Sequence, residues 1–242
     1  MFEYNDVKVV YSRYGNLEGK SIVLLHGWGQ NKEMMDFLGK KLPKYDILTI
    51  DLPGFGKSSE PTYAWSIDDY ADCVHALVKE LNIKNPLVIG HSFGGKVALL
   101  YASKYEIYRL ISFASPYRVL QKKLSFKQKV LKVIAKISFL KGFAEFMKKK
   151  IGSTDYKNAS PRMREVLVKH LHYDITPMVK KINVPTLLIW GTNDTAVNLS
   201  IAYELNDLIK DSAVIEYPGC THYAYMEDLN RSVSIIKKFM GE

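Results

Sequence analysis

The chain is short of cysteine, of long apolar runs and of acidic side chains, and each shortage excludes something. Two cysteines in 242 residues, Cys73 and Cys220, cannot frame a disulfide scaffold, so nothing in the sequence requires an oxidising compartment. No apolar run reaches the roughly 18–20 residues that cross a bilayer, and the opening MFEYNDVKVV has neither the basic nor the apolar stretch of a signal peptide. The expectation is a soluble, cytoplasmic protein. Gly and Pro number only 15 and 9 while 47% of residues are hydrophobic, which excludes collagen-like and disordered chains. Against 34 Lys and Arg stand only 25 Asp and Glu, a formal +9 that by itself admits nucleic acid, a membrane surface or an acidic substrate as partner.

The residues that are present alternate in a regular way. Segments 21–25, 45–50, 86–90, 107–114 and 184–190 are short, nearly continuous apolar runs, the pattern of strands covered on both faces. Stretches with helical spacing lie between them. Residues 66–82 open on Ser66 as an N-cap, put Asp68 and Asp69 in the first turn where the helix dipole favours acids, and carry Tyr70, Val74, Leu77 and Leu81 along one face. Residues 93–104, 198–210 and 227–240 read likewise. Strands alternating with helices predict one α/β domain with a mostly parallel sheet. Residues 7–14 alternate more weakly and are predicted to form an antiparallel strand at the sheet edge.

The alternation is interrupted once, over about 116–176, where strand signals vanish. Val130, Val133, Ile137, Leu140, Ala144 and Met147 recur there at steps of three and four, one stripe of a helix that Gly142 splits. Residues 117–181 hold 17 Lys and Arg against 4 Asp and Glu, so the positive excess belongs to this insertion and the rest of the chain is mildly acidic. Such a stretch is suited to a solvated outer face, to steering an acidic substrate or acidic acyl carrier, or to resting on an anionic membrane surface. Nucleic acid is set aside, because no recognition motif accompanies the charge.

Chemistry concentrates at the strand ends. PLVIG (86–90) runs directly into HSFGG (91–95) and a helix, which places Ser92 in G-x-S-x-G with Gly90 and Gly94. Small residues two before and two after the serine allow a turn tight enough to raise its hydroxyl above the sheet, with the Phe93 N–H at the helix start as an oxyanion donor. A serine nucleophile needs a base, and the base an orienting acid. Of the six histidines, His26 ends a strand in HGWG, His75 lies within a helix, His91 adjoins the nucleophile, and His170 and His172 fall in the insertion. His222 remains, in the loop between strand 213–217 and the last helix, at the carboxyl edge where open α/β sheets build their sites. Asp194, in GTND after TLLIW, is the matching acid; the end of the 107–114 strand offers only Ala114, Ser115 and Pro116. Asp51 precedes a Pro-Gly turn and reads as structural. The second oxyanion donor is predicted at the Trp28 N–H, between Gly27 and Gly29, with the indole as a substrate-binding wall of the acyl pocket.

Competing motifs fail on single residues. The phosphate-binding pattern G-x-x-x-x-G-K-[ST] runs from Gly90 to Lys96 and breaks at Val97, and the stretch ending Gly56-Lys57-Ser58 has Asp51 where its first glycine belongs. Histidines and cysteines show no paired ligand spacing, so no metal site is expected. Cys220 follows no elbow and is not a candidate nucleophile.

Taken together, HGWGQN (26–31), DLPGFGKSS (51–59), GHSFGG (90–95), VPTLLIWGTND (184–194) and GCTHYAYMED (219–228) resemble the α/β-hydrolase superfamily over essentially the whole chain outside the insertion. HGWG with DLPGFG is most similar to its small carboxylesterases, such as those acting on pimeloyl carrier-protein methyl esters. The resemblance implies a mostly parallel sheet of about eight strands, a core of 1–115 and 177–242, and a helical cap over 116–176 inserted after the sixth strand. It also implies no cofactor, a triad of Ser92, Asp194 and His222, oxyanion amides at Trp28 and Phe93, and cleavage of a small-molecule carboxylic ester through an acyl-enzyme. Thioesters, acyl-carrier-protein esters and carbon–carbon bonds are the alternative substrates of such a triad. Two places depart from the superfamily's pattern: the acid loop lacks an acidic residue two before Asp194, and GCTH stands where Gly-x-Gly-His is commoner. Serine at position 92 separates the chain from dehalogenases and epoxide hydrolases, which have aspartate there.

Overall fold

In the computed structural model, which describes residues 1–119 and 154–242, the apolar runs pair into one sheet of eight strands. In chain order these are β1 (Phe2–Tyr4), β2 (Val7–Gly15), β3 (Ser21–Leu25), β4 (Asp46–Asp51), β5 (Leu87–His91), β6 (Arg109–Phe113), β7 (Thr186–Gly191) and β8 (Ser212–Tyr217). Their spatial order is β1-β2-β4-β3-β5-β6-β7-β8. From β4 to β8 every pairing is parallel, while β2 runs antiparallel to both β1 and β4. The sheet is therefore the mostly parallel one expected, with one correction: residues 7–14 are antiparallel but not at the edge. Three residues, Phe2–Tyr4, lie outside them, a strand too short to show any alternation.

Nine helices are seen among the described residues: α1 (Lys32–Gly39), α2 (Ile67–Glu80), α3 (Ser92–Lys104), α4 (Thr154–Asn158), α5 (Pro161–His172), α6 (Thr176–Val179), α7 (Ser200–Leu208), α8 (Ala224–Glu227) and α9 (Leu229–Met240). Successive strand residues point to opposite faces, so Val23, Leu25, Val88 and Leu110 pack on the side of α2 and α3 while Ile22, Leu24, Ile89 and Ile111 pack on the side of α1 and α9. Burial on both faces is what makes these strands continuously apolar. α2 starts as its sequence predicts, with a reciprocal cap in which the Asp69 N–H donates to Ser66 Oγ at 3.3 Å and the Ser66 N–H donates to Asp69 Oδ2 at 2.6 Å. None of the helices among the described residues is long and apolar enough to cross a membrane.

α4 and α5 belong to the segment between β6 and β7, in the place predicted for the insertion. The apolar stripe predicted over 130–147 lies outside the described residues. α5 opens with Ser160 accepting from the Met163 N–H at 3.1 Å, and Met163 then packs against Gly54, in the loop after β4, at a spot that any Cβ would fill. Its other end is tied to α3. Lys96, only 1% exposed, donates to the carbonyl of His170 at 3.0 Å and to that of Tyr173, so an ammonium sits on the carbonyl-rich end of α5 where the helix dipole favours it.

Burial pushes the Lys96 ammonium down from 10.5 to about 8. Between those values the unfolded chain holds a proton that the folded chain has released, so this group's contribution to stability increases as pH rises through the window. In denaturant titrations, wild type minus Lys96→Met should therefore gain about 1–3 kcal/mol from pH 7.5 to 10. A difference that stays flat would mean the ammonium is solvated in the native state.

Candidate active site

The predicted site residues all follow the carboxyl ends of parallel strands. Trp28 comes after β3, Ser92 directly after β5, Asp194 after β7 and His222 after β8. β3 and β5 are neighbours in the sheet, so the HGWG loop stands beside the serine.

The passage from β5 into α3 takes no loop at all. Ser92 adopts φ +51, a left-handed conformation that costs a residue with a Cβ about 1 kcal/mol. The turn closes because its neighbours lack side chains: a Cβ on Gly90 would stand 2.6 Å from Gly95 Cα, and one on Gly94 would stand 2.5 Å from Leu25 O. Among the described residues, the Ser92 hydroxyl has no hydrogen-bond partner and is half-buried. The Phe93 N–H is one of the first-turn amides that a helix leaves without an intrahelical acceptor.

Asp194 and His222 are brought together from loops 28 positions apart. His222 Nδ1 lies 2.7 Å from Asp194 Oδ2, and the aspartate side chain is fully buried. Its other oxygen accepts from the Ala196 and Val197 N–H groups at 2.8 and 2.9 Å, so the carboxylate is held in one orientation. A carboxylate only accepts, hence Nδ1 carries the imidazole proton and Nε2 is left with its lone pair. The two loops are stitched together by the Asn193 N–H donating to Cys220 O at 2.9 Å and the Gly219 N–H donating to Thr192 Oγ1 at 2.9 Å. Thr221 is braced through its N–H, which donates to Glu227 at 2.6 Å, and through its hydroxyl. Both departures from the superfamily pattern are thus filled: Thr192 and Glu227 supply side-chain bonds where the sequence offers no second acid and no second glycine.

The HGWG loop is held as firmly. His26 is fully buried; its Nδ1–H donates to Gly27 O at 2.8 Å and its Nε2 accepts from the Leu52 N–H at 3.0 Å. Burial pushes its imidazole down to about 4, which keeps this neutral bonding pattern. The Gly27 N–H donates to Gln30 Oε1 at 3.0 Å, Gly29 turns the chain at φ +70, and the Trp28 N–H has no acceptor among the described residues. The Trp28 indole is half-buried, edge-on to Phe55 at 4.9 Å and Phe93 at 5.3 Å. His170 of α5 lies parallel to the indole at 6.3 Å and edge-on to Phe93 at 4.8 Å, so the insertion closes one side of this aromatic group. Asp51 is spent on structure, as predicted: it accepts from the N–H groups of Lys32 at 2.7 Å and Lys57 at 3.0 Å.

Sequence reasoning missed His91, His170 and Lys96. The first reads only as a neighbour of Ser92, and the others as ordinary residues of a basic insertion and a surface helix.

Comparison with known proteins agrees with this architecture. Residues 20–121 and 110–229 match the family described as alpha/beta hydrolase fold. Lipase 3 of Moraxella sp. (strain TA144) is 26% identical over 257 residues, covering 96% of this chain and 81% of that protein. The pimeloyl-[acyl-carrier protein] methyl ester esterase of Aliivibrio fischeri is 24% identical, covering 93% and 95%. In three dimensions the chain superposes on bromoperoxidase from Bacillus anthracis with a TM-score of 0.78 at 22% identity, covering 98% of this chain and 96% of that one. With its eight-stranded sheet, its serine turn after β5 and a family match over most of its length, the chain belongs to the alpha/beta hydrolase family.

Proposed function

We propose that this hydrolase cleaves carboxylic esters through an acyl-enzyme formed on Ser92. The observation that carries the reading is the 2.7 Å pairing of a buried Asp194 with His222 on the same sheet edge as a serine forced into a left-handed turn. His222 Nε2 takes the Ser92 proton as the hydroxyl oxygen attacks the ester carbonyl. Asp194 fixes the Nδ1–H tautomer and balances the imidazolium that forms. Negative charge on the carbonyl oxygen is met by the N–H groups of Trp28 and Phe93, with the Trp28 indole as a wall for the acyl group. The tetrahedral intermediate collapses, the alkoxide leaves with the His222 proton, and water repeats the sequence to release the acid. Every atom that moves comes from substrate, water or these side chains, so no cofactor takes part. The kinship with a lipase and a methyl ester esterase supports an ester as substrate. The described part of the insertion, α4 and α5, would belong to a cap beside the site, and free thiols at Cys73 and Cys220 suit a cytoplasmic setting.

A second reading concerns the substrate's carrier. The 17 basic against 4 acidic residues over 117–181 favour an acidic partner, either an acyl carrier or an anionic membrane surface, and thioesters or carrier-bound esters then join the substrate list.

Ser92→Ala should lower p-nitrophenyl ester turnover by at least about a thousandfold and abolish fluorophosphonate labelling with little change in melting temperature; near-full activity would refute the mechanism. Asp194→Asn, which keeps the shape but reverses the imidazole tautomer, should lower kcat on the order of ten-thousandfold. Replacing Lys141, Lys148, Lys149 and Lys150 by glutamine should flatten the ionic-strength dependence of kcat/KM for an anionic ester, and an unchanged dependence would remove steering from consideration. Co-sedimentation with anionic vesicles at low salt distinguishes the membrane from the carrier.

A further inference from the structure

His91 is the polar side chain of the turn that the chemistry above leaves unused. It ends β5 immediately before Ser92, is 1% exposed, and its ring lies between the two loops that Ser92 has to work with. On one edge, Nε2–H donates to the backbone carbonyl of His222 at 2.9 Å, across 131 positions of sequence. On the other, Nδ1 faces Gly27, where a Cβ would stand 2.8 Å from it. The ring centroid is 4.8 Å from that of His222, 5.3 Å from Tyr223 and 5.0 Å from Tyr225. A carbonyl only accepts, so the proton is on Nε2 and the buried Nδ1 lone pair is left without a donor. An apolar ring or a methionine would fill this space without stranding a polar atom, an arrangement that by itself is destabilising. The Nε2–H bond is what the histidine gives in return.

We propose that His91 is a positioning residue: its Nε2–H bond holds the His222 backbone at a set distance from Ser92, and its ring seats the Gly27–Trp28 segment against the same reference. The proposal rests on the triad reading above. β8, which carries the His222 loop, is separated from β5 by β6 and β7, so strand register does not by itself place His222 over the serine. Residue 91 is bonded covalently to residue 92, and a hydrogen bond from it therefore measures the base from the nucleophile's own backbone. Burial pushes the His91 imidazole down to about 3, so the neutral donor persists at any working pH.

His91→Met removes the donor at similar volume; His91→Gln keeps an N–H at the Nε2 position. Spectra of 15N-labelled histidine read the His222 ring directly, whatever bond the enzyme cleaves. The Met variant should move the His222 ring resonances, slow fluorophosphonate labelling and lower ester kcat by about 10- to 100-fold with KM changed less than about twofold; the Gln variant should return the resonances to their wild-type positions and recover labelling and kcat to within about threefold of wild type. An unmoved His222 spectrum in the Met variant, or equal losses in Met and Gln, overturns the proposal. Should the Met variant fail to fold, His91→Asn, whose shorter amide does not reach the carbonyl, is compared with Gln on the same readouts. If the triad reading is itself wrong, wild type resists the fluorophosphonate and ignores Ser92→Ala, while the His222 spectrum still answers for His91.

Discussion

Everything at the reacting edge depends on β5 becoming α3 without a connecting loop. A buried strand and a buried helix meet at Ser92, and the chain can make the corner only with a left-handed serine and with hydrogen in place of side chains at positions 90, 94 and 95. The contact extends beyond the corner: a Cβ on Gly95 would collide with Ser115, just past the end of β6, so the helix is pressed onto two strands at once. Closeness of this kind makes the serine a fixed point. The other groups are then measured from it.

The loops that carry Asp194 and His222 are long enough to wander, and they are restrained by bonds to one another more than by the sheet. Backbone and side-chain bonds between 192–193 and 219–220 join the two loops before the carboxylate meets the imidazole. The acid is then saturated by amides of its own turn. Under the mechanism proposed above, preorganisation of this sort means that the site would not have to reorganise as charge develops, which is where such sites gain most over water.

How much of this was legible in the sequence varies with the kind of constraint. β3 to β7 were readable because burial on both faces writes itself as an unbroken apolar run, and α2 because Ser66 and Asp69 form its cap locally. β1 was not, being three residues long, nor was α1, whose eight residues are too few for a convincing period. Ser92, Asp194 and His222 could be picked out from their places after strands; the bond between the last two then appeared as geometry. His91 and Lys96 could not be read at all. A ring that reaches a carbonyl 131 positions away, and a lysine that turns inward to hold another helix, satisfy partners that no local window contains. The charge excess was legible in amount and location, but what it faces is not a property of one chain.

The clasp between Lys96 and the end of α5 bears on how members of this family could be recombined. Insertions between β6 and β7 look like modules, bounded by two strands and removable as a block. Here half of the joint belongs to α3: the ammonium that holds the carbonyls of His170 and Tyr173 is four positions past Ser92. A graft of this insertion onto another member's sheet would leave that helix end unmet unless residue 96 travelled with it, and the reverse graft would strand a buried charge. The transplantable unit is therefore discontinuous in sequence.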